Sequence, residues 1–276
     1  MNPSAQIETI ILSHSSRGLD SLKDALPAGY CERAARLLLA NKGVVLIGTG
    51  FPVAGTFETD GPVGGISLYH VLAHLGFAPI FVCPPPLARV LQNDFTAIEF
   101  PILSWEASLP IAQTILTDSN PALLVSIEQP GVAHDGRYYN MRKQDITAAV
   151  AKCDGLFQQC RCPTIAFGDG GNEIGMGNLG GQLAHLPIIP SVTPCTELVL
   201  ATVSNWGVYG VLAALSQILQ QDLLTLFRPE AILSYLVAHG TVDGVTGRAE
   251  LSEDGFPLAV GLGIIAQLQQ VLSRPQ

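Results

Sequence analysis

The chain has 276 residues, of which 48% are hydrophobic and 13% charged, with a net charge of −9. That length buries a substantial core without disulfide or metal staples. Fourteen scattered basic residues in an acidic protein exclude a phosphate-tracking nucleic-acid surface.

The N-terminus lacks a basic segment followed by an apolar one, so no signal peptide is expected and the chain reads as cytoplasmic. Residues 18–41 read as helical, with Leu22, Leu26, Ala34, Ala35, Leu38 and Leu39 as the apolar stripe and Pro27 dividing it. Strand and helix patterns then alternate. Strands are expected at 43–48, 79–83, 97–100, 122–128, 163–168 and 187–189. Helices are expected at 65–76, 86–93, 106–117, 143–159, 173–183, 198–221, 229–238 and 257–273. Such alternation predicts an α/β fold: a mostly parallel sheet with helices on both faces and a helical C-terminal layer. No linker divides the chain, so residues 1–276 read as one domain.

The stretch 198–221 carries no charge over a length that could cross a bilayer. It holds Ser204, Asn205, Ser216 and Gln217 and has no basic flank. It therefore reads as a buried or subunit-interface helix, not a membrane span. A mean hydropathy of +0.36 suits an apolar interface as well as a two-sided sheet, so a homo-oligomer is expected.

Three expected strands run straight into loops rich in glycine and acids. The first carries Gly48, Gly50, Glu58, Asp60 and Gly64; the second Glu128, Asp135, Arg137 and Arg142; the third Asp169, Gly170, Gly171, Asn172 and Glu173. Ligands of open α/β sheets bind outside the carboxyl ends of the strands. Parallel neighbours would bring Glu58, Asp60, Glu128, Asp135, Asp169 and Glu173 to one crevice. Converging carboxylates suit a divalent cation such as Mg²⁺ or Mn²⁺, or acid/base chemistry on a small polar substrate. Glycine amides would approach an anion, and an arginine would clamp a carboxylate.

Other patterns carry less. Gly175-Met176-Gly177-Asn178-Leu179-Gly180 spells G-x-G-x-x-G but does not follow a strand directly, so no nucleotide is expected. Asp243-Gly244 between Thr241 and Thr246 reads as a turn. The six cysteines contain no C-x-x-C, and Cys160-x-Cys162 is too close for a usual zinc knuckle. They read as reduced, partly buried thiols.

The runs GTGF (48–51), ETDGP (58–62), IE (127–128), DGRYYNMR (135–142) and GDGGNEIGMGN (168–178) resemble the family of the C-terminal domain of D-glutamate cyclase. The resemblance covers about residues 40–180. It implies conversion of D-glutamate to 5-oxo-D-proline with loss of water, or the reverse hydrolysis. On this reading Glu58, Asp60, Asp135 and Asp169 are metal ligands. Glu128, Asp169, Glu173 and Arg142 are catalytic, with Glu128 or Glu173 as base and Arg142 on the α-carboxylate. Gly48, Gly50, Gly64, Gly170, Gly171 and Asn172 line the ligand. A metal-dependent phosphatase and a non-catalytic ligand-binding module are the alternatives, and each takes a small anionic ligand.

Overall fold

The computed structural model describes residues 3–15 and 25–273. The chain begins with α1 (Pro3–Ile11) and α2 (Tyr30–Ala40), then β1 (Val44–Thr49), a hairpin of β2 (Pro52–Val53) and β3 (Thr56–Phe57), and α3 (Pro62–His74). There follow β4 (Ala78–Cys83), α4 (Leu87–Leu91), β5 (Ala97–Glu99), α5 (Trp105–Ser119), β6 (Leu123–Ile127), α6 (Asp154–Gln159) and β7 (Thr164–Gly168). The last elements are β8 (Glu197–Leu200), α7 (Ser204–Leu219), α8 (Pro229–Ala238), a hairpin of β9 (Ser252–Glu253) and β10 (Phe256–Pro257), and α9 (Leu258–Leu272).

Six strands form one sheet in the order β5-β4-β1-β6-β7-β8. Every pair is parallel, as strand–helix alternation requires. Alternate side chains divide between the two faces. Val45, Ile47, Val125, Ile127, Phe167 and Val199 pack on one face with α1, α2, α3, α7, α8 and α9. Leu46, Val82 and Leu124 pack on the other with Ala112 and Leu116 of α5 and Leu156 of α6.

The uncharged run resolves into two elements. Glu197–Leu200 is β8, paired with β7, where helix was expected from residue 198. Its Leu-Val-Leu sequence suits a strand covered on both sides. Helix α7 starts at Ser204 and is buried from Ser204 to Ser216 among the chain's own helices. Its apolar surface is thus consumed internally and makes no case for a subunit interface. Among the described residues no helix is long and apolar enough to cross a membrane.

Other expectations shift for local reasons. Residues 187–189 are not a strand. Of the helix expected over 143–159 the structure has a 3-10 turn, Thr147–Ala149, and α6; Lys143 has φ 59, and Lys152 Nζ bonds the carbonyls of Thr147 and Val150. The helix expected over 173–183 is a 3-10 segment, Met176–Leu183, broken at Gly180 with φ 49. Of the helix expected over 18–41 the structure has Tyr30–Ala40; residues 18–24, with Leu22, lie outside the described residues.

Candidate active site

From β1 the chain winds outward through β4 and β5, and from β6 it winds the other way through β7 and β8. The switch point between β1 and β6 leaves a crevice beyond their carboxyl ends. There a cleft of about 790 Å³ opens, lined by Gly50, Glu58, Asp60, Glu128, Arg142, Asp169, Asn172 and Asp254, among others.

Asp60 follows the β2–β3 hairpin that leaves β1, Glu128 and Asp169 follow β6 and β7 directly, and all three are buried. One carboxylate oxygen from each lies within 4.8 Å of the others. The chain makes room for this at Gly61, with φ 91, where a Cβ would lie 2.5 Å from Thr49 Oγ1 and 2.9 Å from Glu128 Cβ. Glu128 itself has φ 47, a costly conformation for a residue other than glycine. That strain aims a side chain at the end of an apolar strand into the cleft.

Asp60 accepts from the backbone N–H of Gly61 (2.8 Å), Ser204 (2.9 Å) and Asn205 (2.8 Å). It therefore sits on the positive N-terminus of α7, which favours a carboxylate. Burial and the nearby Asp254 outweigh these donors and push Asp60 up to about 7. Glu128 Oε2 accepts from Ser204 Oγ at 2.6 Å. Burial first, then Asp169, Glu173, Asp60 and Glu58, raise Glu128 well above the usual carboxylate range. Packed carboxylates of this kind either keep protons or take a cation.

The remaining predicted residues divide. Glu58 is buried and lines the cleft beside the trio, with its Oε2 against Gly244. Glu173 is buried behind the third loop, where its two oxygens accept from Gly170 N (2.9 Å) and Gly171 N (2.7 Å). That geometry makes it a brace and occupies the two glycine amides expected to face an anion. Asn172 lines the cleft; its Nδ2 donates to Tyr139 O at 2.9 Å and its buried Oδ1 has no hydrogen-bond partner among the described residues. Arg142 is exposed on the cleft rim.

Asp135 does not join the group. It is exposed, accepts from Tyr139 Oη at 2.6 Å, and is held below its usual range by that bond. Gly50, with φ 112, lines the cleft. Gly48 and Gly64 do not: a Cβ would strike the Gln129 amide at Gly48 and Asn205 Oδ1 at Gly64. Both glycines serve packing, Gly64 where α3 meets α7. The G-x-G-x-x-G run is likewise structural, with Gly177 pressed on the backbone of Val192 and Thr193.

Several site residues were not foreseen. Asn205 Oδ1 accepts from Gly61 N (2.9 Å) and Gly64 N (2.7 Å), and its Nδ2 donates to Glu253 Oε2 (2.6 Å). It ties the first loop to the β9–β10 hairpin. Burial, with Asp60 nearby, pushes Glu253 up to about 8. Asp254, with φ 53, lines the cleft. The signal was present: Glu253-Asp254-Gly255 is another acid-glycine cluster in a chain poor in charge.

A family described as D-glutamate cyclase-like, C-terminal, matches residues 7–269. Mitochondrial D-glutamate cyclase of Homo sapiens is 31% identical over 274 residues, covering 81% of this chain and 44% of the human protein. The chain thus spans less than half the length of that relative. Among solved structures, an exopolyphosphatase-related protein from Bacteroides fragilis aligns with a TM-score of 0.43 and 9% identity, over 88% of this chain and 56% of that one. A likeness that slight carries no argument about function. The family match spans nearly all the described residues and both flanks of the carboxylate cleft, and the chain belongs to the D-glutamate cyclase-like, C-terminal family.

Proposed function

We propose that this chain interconverts D-glutamate and 5-oxo-D-proline, and that Asp60, Glu128 and Asp169 hold a divalent cation for that reaction. The observation that carries the proposal is the set of three buried carboxylates within 4.8 Å at the switch point of the sheet. Their donor set is all oxygen, which suits Mg²⁺ or Mn²⁺. When bound, such an ion supplies Lewis-acid polarisation of a carboxyl oxygen.

The chain's own residues account for the other requirements. Lactam formation needs the amine nitrogen free of its extra proton and held against the γ-carboxyl carbon. We assign the acceptance of that proton to Glu58 or Asp254, which line the cleft outside the trio. The new C–N bond forms as the γ-carboxyl C–O bond breaks. The departing oxygen leaves as water, carrying the two protons the nitrogen gives up. Arg142, the only cationic side chain lining the cleft among the described residues, receives the α-carboxylate. Glu173 keeps the third loop in shape, so we assign it no proton transfer.

The test is a calorimetric titration with Mn²⁺, followed by D-glutamate, L-glutamate and a small phosphate ester on the loaded protein. The expected result is tight binding of one ion and chirally resolved 5-oxo-D-proline from D-glutamate. Phosphate release without lactam would replace the reading with a phosphatase. Binding of D-glutamate without product would leave a ligand-binding module.

A further inference from the structure

The cleft has two unlike sides, and lactam formation from D-glutamate uses only one of them. Glu128 and Asp169 follow β6 and β7, and Asp60 sits on the N-terminus of α7. The other side comes from the ends of β1, β4 and β5. There the lining residues, 50–57, 84–87 and 102, carry no charge at all. Pro52, Pro85 and Ile102 are half-buried on it, backed by buried Phe51 and Leu87. The wall is closely built: at Gly50, with φ 112, a Cβ would lie 2.9 Å from Leu87 Cδ2.

The cleft's volume, about 790 Å³, lies in the range of roughly 300–1,000 Å³ that holds drug-sized ligands. D-Glutamate is far smaller and is charged at both ends, so it offers an uncharged wall only its short methylene chain. A recognition group also stands unused. Asn172 lines the same cleft, and its buried Oδ1 has no hydrogen-bond partner among the described residues, while its Nδ2 is held by Tyr139 O. A buried acceptor of this kind is costly until a ligand donates to it.

Ring closure fixes where a substrate can be larger than glutamate. Its amine must be free to attack, and its α-carboxylate goes to Arg142 on the lactam reading. Only the γ-carbonyl is left to carry an extension. We propose that the substrate is a γ-amide of D-glutamate with an apolar amine, a proposal that rests on the lactam reading. The apolar group lies on the wall at the ends of β1, β4 and β5, and the amide N–H donates to Asn172 Oδ1. The α-amino nitrogen attacks the γ-carbonyl carbon; the new C–N bond forms as the C–N bond to the apolar amine breaks. The departing amine takes both protons that the α-ammonium gives up and leaves as its own ammonium. No water is released and no co-reactant is needed. A neutral amide carbonyl also admits the nucleophile more readily than a γ-carboxylate, whose charge repels it.

The test compares the γ-benzylamide of D-glutamate with D-glutamine and D-glutamate on the full-length, Mn²⁺-loaded protein, following 5-oxo-D-proline and released amine. The benzylamide should have a kcat/KM at least ~10-fold above that of D-glutamine, which shares its amide and lacks the apolar group. Ile102→Ala should narrow that preference about 5-fold. Asn172→Ala should lower turnover of both amides about 10-fold relative to D-glutamate, which has no amide N–H. Binding is read separately by calorimetry with the monobenzylamide of glutaric acid, which has no amine and cannot cyclise. It should bind at least ~10-fold tighter than the plain monoamide of glutaric acid. Equal affinities, or equal kcat/KM, for benzylated and plain amides overturn the proposal, and lactam formed from D-glutamate then leaves the reading beneath it standing. Lactam from D-glutamate with no benzylamine released from the benzylamide also overturns it. Lactam from none of the three substrates overturns both.

Discussion

Two sets of buried acids in this molecule have the same burial and different partners. Asp154 and Asp243 belong to the first set. Asp154 accepts from Val132 N, Tyr138 Oη and Thr193 Oγ1, and so pins the loop after β6. Asp243 accepts from the N–H of Val245, Thr246 and Gly255 and from Ser252 Oγ, and shapes the loop before β9. Glu173 belongs with them. In the second set, Asp60, Glu128 and Asp169 crowd one another at the cleft. A buried acid surrounded by hydrogen-bond donors holds the loops that supply them. Burial raises the proton affinity of Asp60 and Glu128, and neighbouring acids raise it further, Asp254 at Asp60 and Asp169 at Glu128; a cation or retained protons relieve that.

The comparison can be broken at several points. The largest effect is expected at the trio. Asp169→Asn should weaken Mn²⁺ binding by more than ~100-fold, beyond the 10–100-fold typical of outer-shell partners, with the fold unchanged by circular dichroism. Unaltered affinity in calorimetry would sink the ligand assignment. Asp154→Ala should do the reverse. Three donors lose their acceptor, so urea denaturation should show about 3 kcal/mol lost, while Mn²⁺ affinity stays within a few-fold.

Glu173→Gln sharpens the division, because an amide oxygen can serve only one of the two glycine N–H groups. About 1–2 kcal/mol of stability should go, with turnover reduced only in proportion to folded protein. Full stability with turnover down ~1,000-fold would instead restore Glu173 as a base. Arg142→Ala should raise KM for D-glutamate about 10-fold at constant metal affinity, since the side chain is exposed and the proposed reading gives it one substrate contact.

The smallest effect concerns pH. Asp60, at about 7, and Glu253, at about 8, both titrate above ordinary carboxylates. The native state thus holds protons that the unfolded chain has released. Their contribution to stability is full below about pH 4 and is lost as pH rises through 7 to 8. Asp243, where hydrogen bonds outweigh burial and hold the carboxyl low, titrates below this window and leaves the trend unchanged. Metal-free protein should therefore melt a few degrees lower at pH 8 than at pH 5, and Mn²⁺ should raise the midpoint most at pH 8. A metal-free midpoint that rises over this range would contradict the crowding argument.

Much of this was legible in the residues. Aliphatic runs separated by helical periods specify parallel strands, because only burial on both faces accommodates Val-Val-Leu-Ile or Leu-Leu-Val. Acid-glycine clusters at the ends of those runs located the cleft through Asp60, Glu128 and Asp169. The boundary between β8 and α7 was hidden, because an uncharged stretch reads equally as buried strand or buried helix. Asp135 misled because an acid next to glycine is also the composition of an exposed turn.

The sequence by itself determined the fold class and the strand ends at which acids gather, since periodicity and turn chemistry are local properties. Only the tertiary structure decided which acids face one another and which face backbone amides. It also supplied Ser204, Asn205 and Glu253, which join a loop more than 140 residues earlier in the chain through bonds such as Asn205 Oδ1 to Gly61 N. Those partnerships depend on how α7 and the β9–β10 hairpin pack over the sheet, and no local pattern of residues encodes a contact made at that separation.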